Sequence, residues 1–138
     1  MSTPASSDPI VLSAARWFWW IAGLSLVNTV MSLSGSDTNF VIGLAMTSVI
    51  TAMFAATVPL ALALAGVTIG FYVWMGWLAQ RCKLWAFYAG LAVYAVDALI
   101  YARVEDWMPV AFHAFAIYCI GKGVMRLRAL ASAPAEAA

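Results

Sequence analysis

The chain has 138 residues, of which 65% are hydrophobic and 9% are charged, with a net charge of +1 and a mean hydropathy of +0.93. Soluble domains carry about a quarter charged residues, so this composition excludes a soluble globular protein, and no basic field is present for nucleic acid. We expect one helical membrane domain over residues 13–130, with disordered tails at residues 1–12 and 131–138.

The first predicted span covers about Ala14–Leu33. It opens with Arg16, which is followed by the aromatic run 17–20. A cation beside aromatic residues is the usual anchor at a membrane interface. The small and polar residues 34–39 that follow the span are typical of a loop.

The next stretch, from Phe40 to Gln80, contains no charged residue. As one straight helix it would be about 60 Å long, roughly twice the hydrocarbon thickness. Pro59 is the expected break, because it lacks an N–H and disfavours helix at Val58. We therefore predict a short helix at about residues 40–56 and a full span at about residues 59–80.

Two further spans form a hairpin, at about Leu84–Arg103 and Pro109–Leu127. The connection at residues 81–83 is very short, so the spans on either side of it are antiparallel. The predicted fold is an all-α membrane protein with four transmembrane helices plus one short re-entrant or interfacial helix. The alternative is five spans, in which residues 40–56 also cross.

The basic residues set the expected orientation. Cytoplasmic loops carry an excess of Lys and Arg, so we place Arg81 and Lys83 in the cytoplasm. The turn with Glu105 and Asp106 then lies outside. Both termini are cytoplasmic in this arrangement, and the predicted location is a multi-pass position in a cell membrane.

Two ionisable residues lie within the hairpin spans, Asp97 and His113. They are placed about 15 Å and about 9 Å below the outer turn. Tyr94 and Tyr101 share the helix face of Asp97, and polar faces occur on the first span and the short helix at similar depth. We predict one polar cluster that opens outward, and its candidate ligand or proton-site residues are Asp97, His113, Asn28, Tyr94, Tyr101, Thr47, Thr51 and Ser25.

The polar cluster has two interpretations at this point. An unpaired carboxylate at depth costs several kcal/mol, so Asp97 needs a partner whether or not the chain has a function there. The pairing is then either purely structural or part of a ligand, ion or proton site. Histidine changes charge near neutral pH, so the second interpretation predicts pH-dependent activity.

Other chemistry has little support in the sequence. One histidine is too few for a catalytic zinc site or an ordinary haem site, and Cys82 and Cys119 are expected to be free thiols. Ser25, Ser32 and Ser48 are formal nucleophiles, but none lies in a GxSxG elbow. We predict no metal, no cofactor and no catalytic residue.

Small residues at a spacing of four occur on two spans. Gly66 and Gly70 form one pair, and Ala86 and Gly90 form the other. Such pairs let helices approach closely. The motif alone leaves open whether each pair acts inside the bundle or between subunits.

Several local patterns resemble a group of small bacterial multi-spanning integral membrane proteins with no assigned activity. The patterns are residues 20–26 with Asn28, residues 42–44, residues 94–97, and residues 112–116 around His113. The resemblance implies the membrane class and draws attention to Asn28, Asp97 and His113. It implies no reaction.

Three functions are consistent with these observations. The first is a non-enzymatic membrane protein that acts by helix packing, as a homo-oligomer or as a subunit of a larger membrane complex. The second is a transport or ligand-binding protein that uses Asp97 and His113. The third, ranked last, is an enzyme acting on lipid at the outer leaflet. The expected partners are the lipid bilayer and other membrane helices.

Overall fold

The computed structural model describes residues 4–35 and 44–134. Within these ranges the chain is all helical, and its five α-helices are α1 (Pro9–Leu33), α2 (Ala45–Met53), α3 (Val58–Gln80), α4 (Leu84–Arg103) and α5 (Trp107–Ser132). The predictions that fall on residues 1–3, 36–43 and 135–138 lie outside the described residues. They include most of the first loop and the expected start of the short helix at Phe40.

Four of the helices, α1, α3, α4 and α5, have 20 to 26 residues and are apolar enough to cross a membrane. The predicted all-α membrane fold is therefore confirmed. The fifth helix, α2, has nine residues and is about 13 Å long, less than half of the hydrocarbon thickness. The five-span alternative is therefore wrong, because this helix is too short to cross.

The first helix begins earlier than the sequence predicted. A 3-10 turn occupies Ala5–Ser7, and α1 starts at Pro9 rather than near Ala14. The cause is Asp8, whose carboxylate accepts hydrogen bonds from the N–H groups of Ile10 and Val11 and so caps the helix. Pro9 suits the first helical position, where no N–H bond is needed. The predicted disordered tail over residues 1–12 is therefore corrected from Ala5 onward.

The last helix also extends past its predicted end. It runs to Ser132 rather than to Leu127, so the first two residues of the predicted C-terminal tail are helical. Its amino end, at Trp107, lies two residues before Pro109. The predicted bounds of α3 and α4 agree with the structure to within one residue.

Both tight turns between the long helices use a residue with positive φ that is not glycine. Cys82 has φ 59° and Glu105 has φ 57°. Beside Cys82, the N–H of Lys83 donates to Leu78 O (3.1 Å) and that of Cys82 donates to Ala79 O (2.9 Å). This is the Schellman arrangement, which satisfies the carbonyls at a helix end. The same pair of hydrogen bonds ends α4, so both tight turns have the Schellman arrangement.

The long helices pack around a column of aromatic rings. Phe18 of α1 contacts Phe87 of α4 (6.0 Å between ring centroids) and Tyr72 of α3 (6.3 Å). Tyr72 in turn contacts Tyr94 of α4 at 6.3 Å. All four rings are fully buried. The column leads along the bundle to the polar residues.

The two small-residue pairs have different environments. Ala86 and Gly90 are buried, and a Cβ added at Gly90 would run into the ring of Phe18. This pair therefore acts inside the bundle. Gly66 and Gly70 are exposed on the outer face of α3, and a Cβ added at either would meet nothing within 4 Å.

Helix α2 is packed into the bundle rather than lying on its surface. Its amino end is the buried end, because Leu44, Ala45 and Thr47 are each at most 3% exposed. It lies against α1, α3 and α4. The position of this helix determines the polar site.

Candidate functional site

The site is centred on a buried pair from α4 and α5. Asp97 and His113 are both 0% exposed, and His113 Nε2 lies 2.9 Å from Asp97 Oδ2. The other ring nitrogen, Nδ1, lies 2.8 Å from the carbonyl oxygen of Pro109, one turn earlier in α5. The pairing that the hairpin predicted is therefore present, and both nitrogens of the imidazole are engaged.

The carboxylate of Asp97 also accepts hydrogen bonds from the amino end of α2. The N–H of Ala45 donates to Oδ2 and the N–H of Met46 donates to Oδ1, each at 2.8 Å. The first N–H groups of a helix have no partner within the helix, and the helix dipole favours negative charge at that end. The N-cap residue of α2 is Leu44, whose side chain makes no cap bond. Asp97 thus caps α2 from another helix.

A serine of α1 completes this cap. Ser25 Oγ accepts the N–H of Leu44 at 3.0 Å and donates to the carbonyl of Ile21 at 2.7 Å. The amino end of α2 is consequently held by α1 through Ser25 and by α4 through Asp97. His113 adds α5, so three long helices converge on one short one.

The hydrogen-bond pattern fixes the number of protons in the pair. The Pro109 carbonyl can only accept, so Nδ1 must carry a proton. The contact between Nε2 and Oδ2 then needs one further proton. It lies either on Nε2, opposite a carboxylate, or on Oδ2, opposite a neutral ring. Either way the pair shares a single proton and is neutral overall, which is compatible with complete burial.

Two tyrosines enclose the imidazole. The Tyr94 ring is stacked on His113 with centroids 4.1 Å apart and an interplanar angle of 17°. Tyr101 lies tilted against it at 5.3 Å and is hydrogen-bonded to Ser48 of α2. Tyr101 therefore links the buried pair to Ser48 of α2.

Two phenol hydroxyls near the pair are unusual. Tyr72 and Tyr94 are fully buried, and within residues 4–35 and 44–134 neither hydroxyl has a hydrogen-bond partner. A buried polar group without a partner costs free energy. The two tyrosines therefore contribute their rings to the packing and gain nothing from their hydroxyls.

The structure brings most of the predicted cluster together. Asp97, His113, Tyr94, Tyr101 and Ser25 take part in the contacts above. Thr47 and Thr51 are buried in α2, but their hydroxyls donate to the carbonyls of Leu44 and Thr47 (both 2.8 Å) rather than to the pair. Asn28 is 1% exposed on the same face of α1 as Ser25.

The predicted outward opening at Asp97 and His113 does not occur, because both residues are closed off from the surface. The closest match to that prediction is a separate surface depression of about 430 Å³ between α1, α2 and the start of α3. Its polar lining consists of Ser32, Ser48 and Thr51. The predicted pocket is thus divided into a closed pair and a shallow hydroxyl-lined depression, joined through Tyr101 and Ser48.

Sequence reasoning missed four participants. The backbone N–H groups of Leu44, Ala45 and Met46 give no side-chain signal, and Tyr72 lies within a largely apolar run. A search for polar residues could not have found the donors, although the uncapped start of a short helix opposite a buried acid is a usable signal.

The geometry bears on the other chemistries considered. His113 has both nitrogens occupied and Ser25 has its hydroxyl occupied, so they do not form a nucleophile and base pair. Over the described residues, no three His, Cys, Asp or Glu side chains are grouped to hold a metal ion. Comparison with protein-family models, curated proteins and solved structures finds no match.

Proposed function

We propose that this chain is a non-enzymatic membrane protein that acts by helix packing and forms a homodimer through α3. The observation that carries the proposal is the exposed Gly66 and Gly70 pair, beside which there is open space. Glycines at this spacing form a shallow groove in which a second helix backbone can approach closely. Inside this bundle the corresponding pair on α4 is filled by Phe18, whereas the pair on α3 is filled by nothing in the described chain.

A second property of α3 supports the same face. Only 22% of the residues in an apolar 18-residue stretch of α3 are buried, compared with 39% in the corresponding stretch of α1. Val67, which lies between the two glycines, is 73% exposed. Of the four long helices, α3 therefore has the smallest buried share over its apolar stretch.

The proposed occupant is a second copy of α3. A twofold axis along the membrane normal would bring the same patch of both subunits together, which is the usual form of a homodimer interface. The face carries no charged residue from Val58 to Gln80, so a copy of itself matches it. A different apolar helix, as in a larger complex, is the competing occupant.

The test is the oligomeric state of the purified chain in mild detergent and in lipid nanodiscs, measured by native mass spectrometry. We expect the wild type to be a dimer and Gly66→Leu/Gly70→Leu to be a monomer. The matched control is Gly23→Leu/Gly121→Leu, two glycines on other helices that also face open space, and it should remain a dimer. A monomeric wild type, or a dimeric Gly66/Gly70 variant, rejects the proposal.

We also propose that both termini are cytoplasmic. Four crossings leave both ends of the chain on one side of the membrane, and the positive-inside rule favours the cytoplasm for the side with Arg81 and Lys83. In a variant without Cys82 and Cys119, single cysteines at Ser6 and Ser132 should resist a membrane-impermeant maleimide on intact cells. A cysteine at Glu105 should be labelled. The reverse pattern would show that the orientation is inverted.

A second candidate function is proton or ligand transfer through the buried pair. It is favoured by the link from the outer depression through Ser48 and Tyr101 to His113, where one proton is shared. Proteoliposomes with an imposed pH gradient test it. Under this alternative the wild type and the surface control Asp106→Asn dissipate the gradient, whereas Asp97→Asn and His113→Gln do not. A wild type that holds the gradient removes the alternative.

A further inference from the structure

A groove runs along the surface of the helix bundle between α1 and α5, and no residue of α3 lines it. It consists of two adjoining depressions that share Ser13 and Trp17. The one nearer the termini has a volume of about 220 Å³ and includes Pro9, Ile10, Cys119 and Lys122. The larger one has a volume of about 510 Å³ and is otherwise lined by Arg16, Trp20, Leu24 and Phe112.

The dimensions of the groove fit a lipid. From Pro9 to Leu24 it follows α1 for about 22 Å, which is somewhat more than one leaflet of hydrocarbon. Its inner part is lined by Trp17, Leu24 and Phe112. Trp20, which is 65% exposed, lies on its rim near Arg16. Tryptophan and arginine at this level are typical of the headgroup region of a bilayer.

The charge of the groove is positive and lies in the half that is nearer the termini. Arg16 and Lys122 are exposed, and neither forms an ion pair with an acid in the described chain. The acid nearest this end along α1 is Asp8, and it is already bound by Arg126 at 2.8 Å. No acidic side chain lines either depression. Two unneutralised cations above an apolar groove are complementary to a lipid with a negative headgroup.

We propose that this groove binds one anionic glycerophospholipid. The headgroup phosphate lies by Arg16 and Lys122, on the side of the membrane that holds both termini. One acyl chain runs along Trp17 toward Leu24 and Phe112. The site is independent of the proposed dimer face, which lies on α3.

The experiment titrates phosphatidylglycerol or phosphatidylcholine into the detergent-solubilised full chain and counts bound lipid by native mass spectrometry. A basic residue at a membrane surface contributes about 1 kcal/mol toward an anionic lipid, or about fivefold in affinity. Arg16→Gln/Lys122→Gln should therefore weaken phosphatidylglycerol binding about 25-fold and leave phosphatidylcholine binding unchanged. The matched control is Arg103→Gln/Arg128→Gln, which removes two exposed cations outside the groove and should bind as the wild type does.

A second variant tests the apolar part of the site without changing charge. Ser13→Phe places a ring at the point that both depressions share and should reduce the binding of both lipids. Inorganic phosphate at millimolar concentration should not displace bound phosphatidylglycerol, because the acyl chain supplies part of the affinity. Equal affinity of the wild type for the two lipids, equal behaviour of the two charge variants, unimpaired binding by Ser13→Phe, or displacement by phosphate alone would each overturn the proposal.

Discussion

At the scale of single residues, Asp97 holds the polar site together. Its two oxygens accept two backbone N–H groups of α2 and contact the imidazole of α5. A buried hydrogen-bonding group that loses its partner costs about 1–3 kcal/mol. Because the carboxylate is fully buried, no water can replace a partner that is lost.

We expect Asp97→Asn to destabilise the fold by about 3 kcal/mol, in the range for removal of one member of a buried pair. Asparagine has the same shape, but its NH2 group would have to face a backbone N–H of α2, and both groups are donors. Unfolding in detergent, followed by circular dichroism, measures the effect. The control is Asp106→Asn at an exposed acid. Equal unfolding temperatures for the two variants would show that Asp97 does not hold α2.

The opposite result is expected at Tyr72. Its hydroxyl is buried and has no partner in the part of the chain that the structure describes, so Tyr72→Phe removes a desolvated group and keeps the ring. The free energy of unfolding should stay the same or rise, by up to about 1 kcal/mol. Tyr72→Leu, which also removes the contacts with Phe18 and Tyr94, should lower it. A loss of stability in Tyr72→Phe would mean that the hydroxyl is hydrogen-bonded in the folded protein.

At the scale of helices, glycines decide how closely the spans approach. Gly123 of α5 is buried, and a Cβ added there would run into the Cβ of Ala14 on α1. Gly23 lies on the outer side of α1, where an added Cβ meets nothing. An alanine substitution at Gly123 therefore tests helix packing, whereas one at Gly23 tests helix propensity alone.

Gly123→Ala should lower the free energy of unfolding by about 1–3 kcal/mol, because two packed helices would have to separate. Gly23→Ala should leave it unchanged or raise it by up to about 1 kcal/mol, since alanine is the better helix former. Unfolding in a common detergent compares the two. A Gly123→Ala protein as stable as the wild type would contradict the close α1–α5 contact.

The long helices were largely predictable from the sequence, and so was a short helix within residues 40–56, but its burial against α1, α3 and α4 was not. Pro59 and the basic turn at residues 81–83 are local signals, and they place the ends of α3 and the start of α4 to within one residue. The start of α1 was missed because Asp8 and Pro9 fall in a run of small polar residues and were interpreted as part of a tail, although together they form an N-cap.

The site was predictable only in part, for a related reason. Asp97 and His113 stand out because ionisable residues are rare in apolar spans, and helix periodicity adds Tyr94 and Tyr101. The cap on α2 depends on backbone N–H groups brought there by tertiary packing, which leaves no trace in residue type. Closure of the pair likewise follows from how tightly the rings of Tyr94 and Tyr101 pack on His113.

At the scale of the whole molecule, one ion pair joins the first helix to the last. Arg126 Nε donates to Asp8 Oδ2 at 2.8 Å, and the other oxygen of Asp8 caps α1. Burial raises the pKa of Asp8. The hydrogen bonds from Arg126, Val11 and Ile10, together with the guanidinium charge, outweigh that effect, so the pKa lies below its ordinary value of 3.8.

A lowered pKa in the folded state gives a stabilisation that is complete above the unfolded value and is lost as the pH falls through the folded one. We therefore expect the wild type to lose more thermal stability than Asp8→Asn between about pH 6 and about pH 3, so that the two converge in acid. Thermal unfolding in detergent at several pH values measures this, with Asp106→Asn as the control. Parallel curves for wild type and Asp8→Asn would contradict the link.

The cap on α2 also sets an order in which the bundle can assemble during synthesis. Ala45 and Met46 leave the ribosome well before Asp97, which lies 52 residues beyond Ala45. Until α4 has been made and inserted, the donors at the start of α2 lack the acceptor that the finished protein gives them. The cap on α2 therefore forms only after α4 is in place, and a nascent chain that stops before residue 97 cannot complete this part of the bundle.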